Sequence, residues 1–206
     1  MTSPGTDSSP LDLSALHNQY WGLRHGTSEA IELGIIAYDP DGLGGRYGLT
    51  KQGREEVTTS VTQALMQYPQ LKNCVFFVSP LRRTQETAGQ AAKILTPTDR
   101  ITASEIRERN FAEFEGQSIA NCSKIWPYDA EDPSSEPFGV ESVNAVRSRF
   151  FSLIRGIEDK YQGSTILLIS HGDPLHIIQA AFQENHPPVR PNQNLHFKPA
   201  EIHRLN

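Results

Sequence analysis

Tyr20-Trp21-Gly22-Leu23-Arg24-His25-Gly26 is an apolar run that ends in a basic residue, an imidazole and a glycine. A near copy lies far downstream, where Ile166-Leu167-Leu168-Ile169 runs into Ser170-His171-Gly172. Continuous apolar runs of this length read as strands buried on both faces, as in a parallel sheet. Each run delivers a His-Gly to its carboxyl end, so two imidazoles are expected over one edge of one sheet. In open α/β sheets that edge is where ligands bind. The glycine after each histidine lets the backbone turn sharply and come close to a bound group. Either His-Gly alone is a weak signal; the pair is a strong one.

Working outward, strand-type runs occupy 18–23, 74–78, 100–103 and 165–169, with a shorter one near 201–205. Helical patterns lie between them. Thr50-Lys51-Gln52-Gly53-Arg54-Glu55 starts one with a capping threonine and an acidic first turn, Val57, Val61, Ala64 and Leu65 continue it, and Pro69 stops it. A second spans 82–95. A third spans 139–160, with Val143, Val146, Phe150, Leu153, Ile154 and Ile157 at helical spacing. A fourth spans 173–184, with Pro174 suited to its first turn. Strands alternating with long helices predict an α/β fold, a three-layer α/β/α sandwich on a mostly parallel central sheet. Residues 1–17 read as a disordered tail and 18–206 as one catalytic domain. Two stretches, 33–48 with its glycines and Pro40 and 121–138 with Trp126 and three prolines, read as long loops. Loops of that length suit a lid or pocket wall, against the plainer reading of a surface excursion.

At 206 residues the chain is long enough to bury roughly 70% of its unfolded surface without staples. Its net charge of −5 argues against nucleic acid or an acidic membrane as partner. Anion binding must therefore come from a local cluster. Cys74 and Cys122 have no CxxC spacing, which fits a reducing compartment and no disulfide scaffold. The first ten residues lack the charged and apolar regions of a signal peptide, and no run approaches the ~20 apolar residues of a membrane helix. A soluble, cytoplasmic protein is expected.

The basic segment between the two His-Gly motifs is Ser79-Pro80-Leu81-Arg82-Arg83-Thr84, which follows a strand and opens a helix. An isolated Arg-Arg is ordinarily a solvated pair. Here cations would sit at the positive end of a helix dipole, which is unfavourable unless an anion lies between them. Such an arginine suits a phosphate or carboxylate clamp. Directly after the third strand comes Glu105-Ile106-Arg107-Glu108-Arg109-Asn110-Phe111-Ala112-Glu113-Phe114-Glu115-Gly116. A charged stretch is usually a solvated face, yet a carboxyl group at this edge could supply the general acid that imidazoles and guanidiniums lack.

These residues resemble the histidine phosphatase superfamily, the branch with cofactor-dependent phosphoglycerate mutases and fructose-2,6-bisphosphatase. The resemblance runs from about Tyr20 to the carboxyl terminus. It is carried, in the family's order, by Leu23-Arg24-His25-Gly26, Leu49-Thr50-Lys51-Gln52-Gly53, Ser79-Pro80-Leu81-Arg82-Arg83-Thr84, Arg107-Glu108 with Phe114-Glu115-Gly116, Glu141-Ser142, and Ser170-His171-Gly172. It implies a phosphoglycerate mutase-like fold, with His25 as the nucleophile that becomes phosphohistidine. It implies that Arg24 and Arg83 bind the phosphate, His171 and Gly172 complete the cradle, and Glu108 protonates the leaving oxygen and then activates water. Glu105 and Glu113 are the alternative carboxylates. The assignment is chemically sound on its own, because nearby guanidiniums keep an imidazole neutral and nucleophilic. Arg and His can also supply the charge that other phosphoryl-transfer enzymes take from Mg²⁺, so neither metal nor cofactor is expected.

The chain departs from the family at Ile31, where the family often has Asn, and near Ala112, where the Gly usually found is missing. The expected pocket rim is Thr27, Ser28, Ile31 and Glu32, with Tyr38, Trp126, Tyr128 and Phe138 as an aromatic wall that disfavours a multiply phosphorylated substrate. Arg82 belongs at the rim or in solvent, and His176 in the core or behind the site. The expected substrate is a small-molecule phosphate monoester, hydrolysed. The alternatives are mutase-type transfer, a non-catalytic phosphate-ligand-binding protein, and a metal hydrolase using His25 with Glu29 or His171 with Asp173 and His176. The last is disfavoured because Gly172, Pro174 and the strand before His25 break the helical spacing. A homodimer is expected from the resemblance.

Overall fold

The computed structural model describes residues 11–39, 41–183 and 197–206. Its strands are β1 (Gln19–Arg24), β2 (Val75–Val78), β3 (Asp99–Thr102), β4 (Thr165–Ser170) and β5 (Ile202–Arg204). Its helices are α1 (Glu29–Glu32), α2 (Leu43–Arg46), α3 (Lys51–Gln67), α4 (Arg82–Leu95), α5 (Trp126–Glu131), α6 (Val143–Lys160) and α7 (Gly172–Phe182). The strands form one sheet in the order β3-β2-β4-β1-β5. All neighbouring pairs are parallel except β1 with β5.

The apolar runs are continuous because helices cover both faces of the sheet. Successive side chains alternate between those faces. Tyr20, Val75, Phe77, Ile166 and Leu168 pack with Val146, Phe150 and Ile154 of α6. Trp21, Leu23, Phe76, Val78, Leu167 and Ile169 pack with Val57 and Val61 of α3 and Ala88, Ala91 and Leu95 of α4. Each large side chain fully buried this way contributes about 1.5–3 kcal/mol. The fold is the expected three-layer α/β/α sandwich.

Local chemistry sets the ends of the elements. The Thr50 hydroxyl accepts from Gly53 N at the start of α3, and Pro69 begins a separate 3-10 turn just after its end. The third helix begins later than its apolar spacing suggests. Gly139 sits at φ +72 in a turn, and Ser142 supplies the cap by accepting from Ala145 N. The loop after β1 meets the first turn of α3 closely. A Cβ on Gly26 would lie 2.4 Å from the Gly53 carbonyl oxygen, and one on Gly53 would lie 2.0 Å from that of Thr27. Only glycine allows this approach on both sides.

Three expectations need correction or limits. The tail does not extend to residue 17: Leu13–Ala15 form a 3-10 turn capped by Asp12, and Leu11 and Leu16 pack against the core. Residues 1–10 and Glu184 lie outside the described residues. The stretches 33–48 and 121–138 are not plain loops, since they hold α2, α5 and part of a 3-10 helix at Ile119–Lys124. A third apolar cluster of Ile36, Phe111, Phe114, Ile125 and Val140 gives them a core of their own. Among the described residues no helix is long and apolar enough to cross a membrane.

Candidate active site

Strands β1 and β4 are neighbours, and their register sets Arg24 opposite Ser170. The next residue on each is a histidine, so the His25 and His171 rings meet edge to face with centroids 5.2 Å apart. Both are buried. His25 Nδ1 lies 2.8 Å from the Gly26 carbonyl oxygen, which can only accept, so Nδ1 carries the proton. Arg83 Nε donates to His25 Nε2 at 3.0 Å. The ring's lone pair is therefore on Nε2, where it accepts from Arg83. Burial first, then Arg83 and Arg24, hold the His25 pKa well below the usual imidazole range.

His171 is fully buried against the His25 ring. Its Nε2 is 2.7 Å from Ser79 Oγ, and its Nδ1 is 3.6 Å from Glu108 Oε2. Burial, then Arg83 and His25, depress its pKa as well. Arg83 opens α4 and reaches Glu108 Oε2 through Nη2 at 3.5 Å. Burial brings its pKa down to about 10. Arg24 Nη1 donates to the Phe197 carbonyl oxygen at 2.6 Å. Arg24 Nε, Arg83 Nη1 and His171 Nδ1 are buried without a hydrogen-bond partner. Buried polar atoms are rarely left so, and three at one sheet edge form a cradle suited to a tetrahedral oxyanion.

Glu108 hangs over this cradle from the segment after β3. Its Oε1 accepts from Arg109 N at 3.0 Å. Burial raises its pKa against the pull of Arg83, and Asp173 adds to the rise. A carboxyl group raised this way can hold a proton for a leaving group. The fallback carboxylates are elsewhere: neither Glu105 nor Glu113 lines the cavity. Arg82 points outward to Glu86 Oε1 and the Arg46 carbonyl oxygen.

A cavity of about 370 Å³ opens from this edge. Its polar lining includes Arg24, His25, Arg83, Glu108 and Asp173, and its apolar lining Ile31, Ile35, Ile36, Phe111, Ile119 and Trp126. Two of the four expected rim residues border this cavity. Ser28 and Ile31 line the cavity. Thr27 is turned away because Glu56 accepts from both its backbone N and its hydroxyl, and Glu32 borders a separate surface with Arg46 and Arg82. Of the aromatic wall only Trp126 is present. Phe138 instead packs against Phe114 and Tyr128 outside the cavity.

Arg109, absent from every sequence-derived role, ties the site together. It is 1% exposed and makes two 2.7 Å bonds to Asp129 of α5. It also reaches Asp173 of α7 at 3.3 Å and donates through Nε to the Glu141 carbonyl oxygen. The charged stretch around it gave no sign that this one guanidinium faces inward. Ser79 was legible as part of its motif but not as the partner of His171.

A profile of the histidine phosphatase superfamily, branch 1, matches residues 21–206. The chain belongs to that superfamily. A phosphoglycerate mutase-like protein of Arabidopsis thaliana is 26% identical over 135 residues, covering 63% of this chain and 57% of that relative. The chain thus spans little more than half of that relative's length. Among solved structures, a mycobacterial glucosyl-3-phosphoglycerate phosphatase superposes with a TM-score of 0.67 at 18% identity, over 89% of this chain and 88% of that one. A protein described as mycobacterial hydrolase 1 gives 0.69 at 19%, over 89% of each. These likenesses establish the fold.

In this member of the superfamily one further arrangement bears on chemistry. His25, Glu108 and His171 bring ligand atoms within 4.8 Å of one another, a spacing that could hold a metal ion. The donor set fits poorly. The His25 lone pair accepts from Arg83, and a divalent cation there would face two guanidiniums at short range. The sets with Glu29 or His176 are not brought together.

Proposed function

We propose that this protein hydrolyses a small-molecule phosphate monoester through a phosphohistidine on His25, without a metal. The observation that carries the reading is the state of His25: Nδ1–H is committed to Gly26, the lone pair lies on Nε2, and Arg83 sits beside it. A neutral imidazole with its nucleophilic nitrogen next to a guanidinium suits attack on a phosphorus whose oxygens that guanidinium neutralises.

In the first half-reaction Nε2 donates its pair to phosphorus as the ester P–O bond breaks, and Glu108 gives its proton to the departing alkoxide oxygen. In the second, water attacks the phosphorus, passes a proton to the Glu108 carboxylate, and the P–N bond pair returns to Nε2. Phosphate leaves and Glu108 is protonated again. Arg24, Arg83 and the backbone at Gly172 hold the phosphoryl oxygens, and His171 Nδ1 adds a contact from beneath. Ser79 positions His171 from its far nitrogen. The mycobacterial glucosyl-3-phosphoglycerate phosphatase of the same fold has also been solved with VO₃ and with inorganic phosphate, which supports an oxyanion site by analogy of fold.

The test is hydrolysis of an aryl phosphate in EDTA from pH 4 to 8, wild type beside His25→Ala. Activity that survives EDTA and falls at least about 10⁴-fold in the variant is expected. Activity abolished by EDTA, or retained by the variant, overturns the reading.

A further inference from the structure

We propose that the cavity beside His25 is a subsite for an uncharged, apolar leaving group. The substrate is then the monophosphate of a hydrophobic alcohol or phenol, and neither a bisphosphate nor a phosphorylated carboxylic acid. This rests on the phosphatase reading above and adds the substrate class to it.

The division of the cavity is the first argument. The charged residues lining it are coupled to one another, Arg83 bonding His25 and reaching Glu108, and Asp173 acting on Arg24, while Ile31, Ile35, Ile36, Phe111, Ile119 and Trp126 supply the apolar lining. A leaving group seated there has aliphatic and ring carbon on its sides. Ile31 lines the cavity from α1, the helix that Ser28 caps.

Charge is the second argument. Among the described residues, Arg24 and Arg83 are the cations that line the cavity, and together they match one phosphate dianion. The guanidiniums that follow in the chain are already paired: Arg109 with Asp129 and Asp173, and Arg107 and Arg149 share Glu141. Asp173 itself lines the cavity. A second phosphate or a carboxylate on the substrate would meet apolar carbon or that carboxylate, and would lose its hydration for nothing. Mutase-type transfer on a phosphorylated sugar acid needs such an anion held in place, so the same geometry disfavours it.

The experiment measures binding of non-hydrolysable n-alkylphosphonates, methyl to hexyl, to the intact protein by calorimetry. Turnover of phenyl phosphate is measured in parallel. Affinity is expected to rise about fourfold per methylene until the wall is filled. An ω-carboxyalkylphosphonate of equal length is expected to bind at least ~100-fold more weakly than its alkyl counterpart, because its carboxylate must be desolvated. Ile31→Lys should narrow that gap by supplying a cation. Ile119→Ser, at a position 47% exposed and so tolerant of change, should flatten the rise for the longer chains. A flat series, no binding of any alkylphosphonate, or a carboxyphosphonate that binds as tightly overturns the proposal, even if phenyl phosphate is turned over through His25. A steep apolar series without turnover keeps the subsite and overturns the phosphatase reading.

Discussion

The two ends of the cavity are built in opposite ways. The polar end rests on the carboxyl edge of β1, β2 and β4, strands hydrogen-bonded in fixed register; Arg24, His25, His171 and Arg83 follow their apolar runs within a few residues, and Glu108 alone is delivered by the longer segment after β3. The apolar wall comes from α1, α5 and 3-10 segments whose parts are far apart in sequence, held by a small cluster around Ile36, Phe111 and Ile125 and by the Arg109–Asp129 pair. The stiff part carries the reaction and the irregular part carries selectivity, a division expected where loops are mounted on a rigid scaffold. Substitutions at the polar end should change rate with little loss of fold. Substitutions that loosen the wall should change stability and substrate preference.

The sharpest probe of the polar end after His25 is Glu108→Gln, expected to lower kcat about 10²–10⁴-fold. The pH profile sharpens it. Glu108 has a pKa above the usual carboxylate value, so its acid form persists to higher pH and is lost as pH rises through that value. His25 is held well below the usual imidazole range, so its protonation erodes activity only at lower pH. Activity is therefore expected to fall on an alkaline limb as Glu108 loses its proton, and that limb should vanish in the Gln variant; an unchanged limb would remove Glu108 from the role of acid.

On the wall side, Arg109→Ala leaves the buried Asp129 carboxylate unpaired. A loss of about 3–5 kcal/mol in chemical denaturation is expected. A loss below about 1 kcal/mol would mean that the pair does not hold α5 in place. The smallest effect concerns Ala112, which sits at φ +47 between Phe111 and the Phe114 turn. A left-handed residue with a Cβ is strained by about 1–2 kcal/mol, partly offset in any replacement by glycine's greater chain entropy. Ala112→Gly should stabilise the protein by about 0.5–1 kcal/mol on thermal unfolding. Destabilisation would show that the Ala112 methyl, 3.3 Å from where a Cβ on Gly139 would lie, contributes packing that outweighs the strain.

The sequence alone determined the parallel sheet, the four long helices and the meeting of His25 with His171. The physical reason is locality: buried parallel strands are continuous apolar runs, helices carry a 3.6-residue period, and the His-Gly turns belong to the strands they follow. Glu108 was legible as one of three carboxylates; only burial and contact with Arg83 separated it from Glu105 and Glu113. The wall was legible at Ile31 and Trp126 and misread at Tyr38, Tyr128 and Phe138, because aromatic composition does not say which way a ring in an irregular segment points. Arg109 was hidden for the same kind of reason. A charged run reads as solvated until partners from distant elements, here Asp129 and Asp173, bury one member of it. Contacts across long separations in sequence have no periodic signature, so which side chains close the cavity was decided by the tertiary structure alone.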